Sequence, residues 1–229
     1  NARLVDEATM VSKELMRVAI TAHEFWHQGL ERAAHLYIVE KDVSGMIHVL
    51  SQLHGMGDST RGSDLSDPQE CQNLPSSPMF SAGENSAHAG YTLRDLSFHN
   101  NFGRDLAKAQ EWLLQYKAQR KNMFLLHQAW GIYYEGFKKI ASQLKNFKHV
   151  QLGHVSQALT QASSLCLAVP GTYEPFRDIV CISKFAMSVD VISSKQRPRR
   201  ITVTGSDGVN YRFLLKGHED LRQDERVMQ

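Results

Sequence analysis

The sequence predicts an α+β chain, with a four-helix up-down bundle first and an antiparallel sheet plus the start of one more helix after it. Three observations predict it. Apolar residues recur at three- and four-residue spacing through most of the chain up to Phe147. Short β-rich runs replace that period afterwards. Between two of those runs, Gly205–Ser206–Asp207–Gly208 is a strong hairpin signal. Helices first and strands after argue for two domains, and 229 residues hold one large or two modest ones.

From Val11 to Val39 one long helical stripe is expected, built on Leu15, Val18, Ala22, Phe25, Trp26, Leu30, Ala33 and Tyr37. Asp42 is a good N-cap for a shorter helix that turns Met46, Ile47, Leu50 and Leu53 inward, and Gly55 and Gly57 end it. Residues 56–90 lose all period and are rich in Ser, Gly, Asp, Asn and Pro. So little apolar surface does not offset about 1–2 kcal/mol of backbone ordering per residue, and a flexible insertion is expected there. Thr92 caps a third helix to about Arg120, and Asn122 or a neighbour starts a fourth through Trp130, Tyr133, Phe137 and Leu144. The expected division is therefore a bundle over 1–147, a connecting helical segment over 148–164 and a sheet domain over 165–229. In the last of these, Pro170–Gly171 breaks any remaining helix. The expected strands are Ile179–Ile182, Val189–Ile192, Ile201–Val203 and Tyr211–Leu215.

Composition narrows the function classes. Hydrophobic content of 42% is that of a globular protein, and a net charge of +2 gives no general argument for nucleic-acid or membrane partners. No apolar run approaches the about 18 residues of a membrane span, and the polar first residues do not form a secretory leader. Cys71, Cys166 and Cys181 lack metal-like spacing and point to a reduced, cytoplasmic setting. Cys166 and Cys181 are expected to be small buried hydrophobes. Starting without Met and stopping inside an expected helix, the chain reads as part of something longer.

Four constellations carry chemistry. His23-Glu24-Phe25-Trp26-His27 has the HExxH spacing of zinc proteases, which puts two imidazoles on one helix face with a carboxylate between. The pattern is short and arises by chance, and no third ligand has a recognisable context, so packing is the preferred reading and no zinc is expected. The fourth helix carries Trp130, Tyr133, Tyr134 and Phe137, more aromatics than one inward stripe hides; some should line an exposed cleft. Ser193 to Arg200 is a basic turn between strands, by itself an ordinary solvated charge run. Finally, the strand Tyr211–Leu215 delivers Lys216, Gly217 breaks it, and acids follow. A strand-end lysine facing helix carboxylates is how kinases hold nucleotide phosphates, but a mixed-charge surface turn is the blander reading.

Long segments decide between these alternatives. LLKGHEDLRQDERVMQ, HEFWHQGLERAAHLYI, GRDLAKAQEW, QAWGIYYEGFKKI and VISSKQRPRRITVTGSDG together resemble the target-of-rapamycin (TOR) kinases of the phosphatidylinositol-kinase-related family. The resemblance covers nearly the whole chain except Met56–Gly90 and parts of Asn146–Ser163. It implies a rapamycin-binding bundle followed by an incomplete kinase small lobe. It further implies that Leu30, Ala34, Ile38, Trp130, Tyr134 and Phe137 line a cleft that takes the macrolide and docks substrates. The histidines of the first helix would cap and pad the bundle surface. Ser194 would contact a terminal phosphate of ATP and Lys216 the phosphates as a point charge. Glu219 and Asp224, five positions apart on one helix, point to different sides, so one of them pairs with Lys216; Asp224 is favoured and Glu219 is second.

The implied parent is a serine/threonine protein kinase that transfers the γ-phosphate of ATP to protein substrates with Mg²⁺. Its implied partners are an immunophilin–rapamycin complex and TOR-complex subunits, and its implied place is the cytoplasm or the periphery of endomembranes. A different class is a stand-alone binding module without catalysis, with the zinc protease a remote third. No catalytic loop or metal-binding Asp-Phe-Gly equivalent occurs in the chain, so the fragment alone is expected to be inactive. The family usually has Ser at Ala34, Phe at Ile38, Thr at His127 and Asp at Gly131. The changes at Ile38 and His127 are each expected to weaken packing of a rigid ligand by about 1 kcal/mol or more.

Overall fold

The long first helix is two helices. In the computed structural model, which describes residues 2–55, 92–119 and 122–217, α1 spans Ala2–Ala19 and α2 spans Ala22–His35. The apolar stripe runs straight through the break, which is why periodicity misses it. Thr21 and Glu24 carry the spacing of a capping box, which starts a new helix instead of extending the old one, and both are buried. One π-helical turn, Leu36–Glu40, ends α2. Lys41 follows at φ +59°, and Asp42 then caps α3 (Val43–Leu53) by accepting from the Gly45 N–H at 2.9 Å.

Thr92 starts α4 (Leu93–Phe98) as expected. The Asp95 N–H donates to Thr92 Oγ1 and the Thr92 N–H donates back to Asp95 Oδ2, each at 3.1 Å. A π-helical turn at His99–Gly103 separates α4 from α5 (Arg104–Ala118). Asn122 Oδ1 accepts from the Phe124 N–H at 3.1 Å and opens α6 (Met123–Lys145). The expected insertion over 56–90, with Cys71, lies outside the described residues.

Two compact units emerge, and they do not follow the expected boundary at residue 147. The helical unit comprises the described parts of 23–55 and 98–143, and the sheet unit takes 2–22, 92–97 and 144–217. Within the helical unit, side-chain contacts fix the helix directions. His23 at the start of α2 meets Gln143 at the end of α6, with Nε2 to Oε1 at 3.0 Å, and Tyr37 beyond the end of α2 meets Trp130 early in α6. These two helices are therefore antiparallel. Lys117 late in α5 donates to Ser51 late in α3 at 3.0 Å, and Asp105 early in α5 pairs with Lys139 late in α6 at 3.8 Å. A helical bundle results, in which α6 runs antiparallel to both α2 and α5. Trp26, Leu30, Met46, Leu50, Leu53, Phe98, Leu106, Leu126, Tyr133 and Ile140 are its fully buried large side chains.

In the sheet unit the connecting segment is not one helix. It is a short strand β1 (His149–Gln151) and two short helices, α7 (Leu152–Val155) and α8 (Gln157–Gln161), the second capped by Ser156. The strands β2 (Ile182–Phe185), β3 (Ser188–Val191), β4 (Arg199–Gly205) and β5 (Asn210–Leu215) complete an antiparallel sheet. Strand β4 is central: β5 pairs along one edge, β3 and β2 follow one another along the other, and β1 lies outside β3. The expected hairpin is present, with Gly208 at φ +79° in the turn where a side chain would be strained. Ile201 and Val203 of β4 and Val189 and Val191 of β3 pack with Val11 and Val18 of α1 and with Leu152, Val155 and Leu159. Helix α1, expected in the bundle, is thus the cover of the sheet. Cys166 is exposed and Cys181 half-buried, against the expectation of burial. Both lie before β2: the Cys166 N–H donates to Glu7 Oε2 at 2.6 Å, and Cys181 bridges Ala168. Among the described residues no helix is long and apolar enough to cross a membrane.

Candidate functional site

Helix α6 has two aromatic-bearing faces. Leu126, Ala129, Tyr133 and Ile140 recur at three-, four- and seven-residue steps and are buried. Trp130, Tyr134 and Phe137 follow the same steps on the next face around and stay partly open, Tyr134 at 40% exposure. Beside them, Leu30, Ala34 and Ile38 form an i, i+4, i+8 line along α2 into the π-helical turn. Leu30 is buried and forms the floor, Ala34 is half-buried, and Ile38 stands at the rim, 51% exposed. All six expected cleft residues therefore fall on neighbouring stripes of two antiparallel helices.

The ring contacts make one continuous row. His27 stacks on Phe137 at 4.9 Å and 26°, Phe137 stacks with Tyr134 at 6.3 Å, Tyr134 lies 6.2 Å from Trp130, and Trp130 lies 5.3 Å from Tyr37. Aromatic pairs at these distances are favourable in themselves. Lys138 places its ammonium 5.0 Å from the Tyr134 ring centre, where a cation is attracted to the π-face. The same ammonium is paired with Glu135, and that bond holds the Lys138 pKa above its ordinary value. His27 and Tyr37 were missed in the sequence. They lie three residues before and seven after Leu30, so extending its stripe by helical steps finds them. At Gly131 a Cβ would meet nothing within 4 Å, so the edge of this row is open there. His127, one turn earlier, is exposed.

Behind the row sits a buried polar contact. His54 Nε2 and Tyr133 Oη are 2.8 Å apart, and Trp26 meets the His54 ring edge-on at 5.0 Å. Burial lowers the His54 pKa to about 4 and pushes the Tyr133 phenol well above its ordinary range, since it disfavours the charged form of each.

The HExxH residues serve packing. His23 is buried rather than on the surface, with its ring 4.9 Å from Phe98 and 5.9 Å from Phe102 and its Nε2 on Gln143. Glu24 is buried, and His27 is stacked on Phe137. Among the described residues no group of three or more His, Cys, Asp and Glu is arranged to hold a metal ion.

In the sheet unit, Ser194 is exposed in the turn between β3 and β4. The turn is held by its own backbone: the Ser194 N–H donates to Ile192 O at 2.9 Å, the Arg197 N–H to Ser194 O at 3.3 Å, and the Ile192 N–H to Pro198 O at 3.0 Å. Lys216 is half-buried just past β5. Because Arg199 pairs with Leu215, the Ser194 turn and Lys216 lie at the same end of the sheet. Glu219 and Asp224 lie outside the described residues. One member of the basic turn is not a solvated charge at all: Arg199 is fully buried. Its neighbours Arg197 and Arg200 gave no hint, because strand alternation separates them only once the register is known.

A family model described as the FKBP12-rapamycin binding domain matches residues 14–64 and 78–142. The serine/threonine-protein kinase mTor of Drosophila melanogaster is 43% identical over 226 residues, which is 99% of this chain and 8% of that protein. The serine/threonine-protein kinase TOR2 of Saccharomyces cerevisiae is 43% identical over 227 residues, again 99% and 8%. The target of rapamycin homolog of Caenorhabditis elegans is 36% identical over 233 residues, 100% of this chain and 8% of its own. The chain thus spans about 8% of the length of these relatives.

Proposed function

We propose, since the chain belongs to the FKBP12-rapamycin binding domain family, that its aromatic row is a docking face within a TOR-type serine/threonine protein kinase. The face would receive an immunophilin–rapamycin complex and protein substrates, and the intact kinase would transfer the γ-phosphate of ATP to those substrates. The observation that carries this reading is the row from Tyr37 through Trp130 and Tyr134 to Phe137 and His27. A bundle that needed aromatics for its core alone would bury them, as it does Tyr133; rings left open in a line beside a buried Leu30 floor suit a flat apolar ligand. The similarity of 99% of the chain to TOR kinases supports the catalytic context.

In that context Ser194 and Lys216 would hold the ATP phosphates, Ser194 by hydrogen bonding and Lys216 as a point charge. Glu219 or Asp224 would pair with the lysine. Mg²⁺ would neutralise the phosphates when bound. The reading as a binding module describes what this stretch does by itself: the open row serves docking whether or not catalysis follows.

The test is a calorimetric titration of the protein with immunophilin and rapamycin, which reads binding without using Trp130 as the reporter. Saturable ternary binding is expected, and Trp130→Ala should weaken it by at least about 2 kcal/mol, as a central interface aromatic does. Equal binding by wild type and Trp130→Ala, with both folded, would remove the row as the docking face.

A further inference from the structure

We infer that Arg199 is a positioning residue for the nucleotide phosphates, bracing the Ser194 turn and the Lys216 strand end against the C-terminal turn of α1; the inference rests on the kinase reading above. Arg199 has no solvent exposure. A guanidinium taken out of water demands acceptors in place of it. Its Nε donates to Val18 O at 3.2 Å, and its Nη1 donates to Arg197 O at 2.6 Å. Phe147 lies 5.5 Å from the guanidinium and offers it an aromatic face.

Each acceptor has a reason to be held. Val18 lies in the last turn of α1, where carbonyls lack intrahelical partners and the helix dipole is negative. Arg197 sits at φ +46°, a conformation that side-chain-bearing residues rarely adopt, and it closes the turn that carries Ser194. One side chain therefore ties a strained turn to a helix end. The other half of the site meets the same helix end. Leu215 pairs with Arg199, Lys216 follows, and a Cβ on Gly217 would lie 2.5 Å from Ile20 Cγ1 and 3.1 Å from Ala19 O. The chain leaving Lys216 is thus pressed on the end of α1 that Arg199 holds. A shift of that end would move the Ser194 turn and Lys216 with respect to one another, and phosphate contacts fall steeply with small misplacements.

The experiment uses the intact kinase that carries this chain. Arg199→Met, Arg199→Lys and Lys216→Ala are compared by titration with a fluorescent ATP analogue, by steady-state kinetics and by thermal unfolding. Lys216→Ala should lose most analogue binding. Arg199→Lys keeps the buried charge but has one donor centre for two carbonyls in different directions. It should weaken analogue binding and raise KM for ATP about tenfold, with kcat and the KM for protein substrate within about twofold. Normal ATP affinity in Arg199→Lys, with Lys216→Ala impaired, would overturn the positioning role and leave the kinase reading standing. Unchanged analogue binding in Lys216→Ala would overturn the phosphate site itself, and the inference with it. Arg199→Met adds the stability readout: a lowered unfolding temperature that Arg199→Lys restores without restoring ATP affinity separates positioning from support of the fold.

Discussion

The two faces of α6 put the same kind of residue to opposite uses. Tyr133 is fully buried against His54, while Trp130 and Tyr134, three residues and one residue away, leave part of their rings open beside α2. One step along a helix rotates a side chain by about 100°, so the choice between core and site is made by position and not by residue type. The inner face is held by packing and a satisfied polar pair; the outer face is held by packing among its own rings. Changes on the inner face should therefore cost folding, and changes on the outer face should cost binding.

The largest effect expected is at Tyr133. Tyr133→Ala removes a fully buried ring and the phenol that meets His54. Loss of such a ring costs about 3–5 kcal/mol, a large share of the stability of a domain. Urea unfolding of the protein at pH 7 should show that loss. A cost below about 1 kcal/mol would mean that the two faces do not differ in the way described.

His54 sharpens the contrast through pH. Its folded pKa is lowered to about 4, from an ordinary value of 6.5, because burial disfavours the imidazolium. Above pH 6.5 the ring is neutral in both folded and unfolded chains, and its contribution to stability is fully present. As pH falls from 6.5 towards 4 the unfolded chain takes up a proton that the folded chain refuses, so stability is lost. Between pH 7 and pH 5 the loss is about 2 kcal/mol. Unfolding measured at the two pH values on wild type and on His54→Gln checks it: the variant should lose less stability across that interval. Identical slopes would show that His54 is not the group responsible.

How much of the fold is legible in the sequence follows from the range of each interaction. Helices α3 and α6 were legible with their caps at Asp42 and Asn122, because caps and periods are local. The open face of α6 was legible as an excess of aromatics, and the family resemblance supplied the six residues expected to line a cleft there. The division of α1 from α2 was hidden because Ala19, Ile20 and Ala22 keep the stripe apolar across Thr21. Strand β1 was hidden for another reason: three residues have no period of their own, and His149–Gln151 becomes a strand by pairing with Ser188–Asp190. Arg199 is the same lesson in a side chain. Its burial depends on register with Leu215 and on the Val18 carbonyl, which is distant in sequence, and nothing in a run of basic residues marks it out.

The smallest effect expected lies at the rim of the outer face, and it isolates binding from folding most cleanly. Ile38 is half-exposed in the π-helical turn, next to Tyr37, which touches Trp130. Ile38→Phe lengthens the aromatic row by one ring. Surface substitutions change stability by no more than about 0.5 kcal/mol, whereas an added aromatic contact is worth about 0.5–1.5 kcal/mol. The unfolding transition should stay in place while the immunophilin–rapamycin titration tightens by several-fold. Equal affinity would put the ligand's edge inside Ile38, on Ala34 and Trp130 alone. Weaker affinity would mean that the rim closes over a smaller ligand than a macrolide, for which the branched side chain of Ile38 is the better fit.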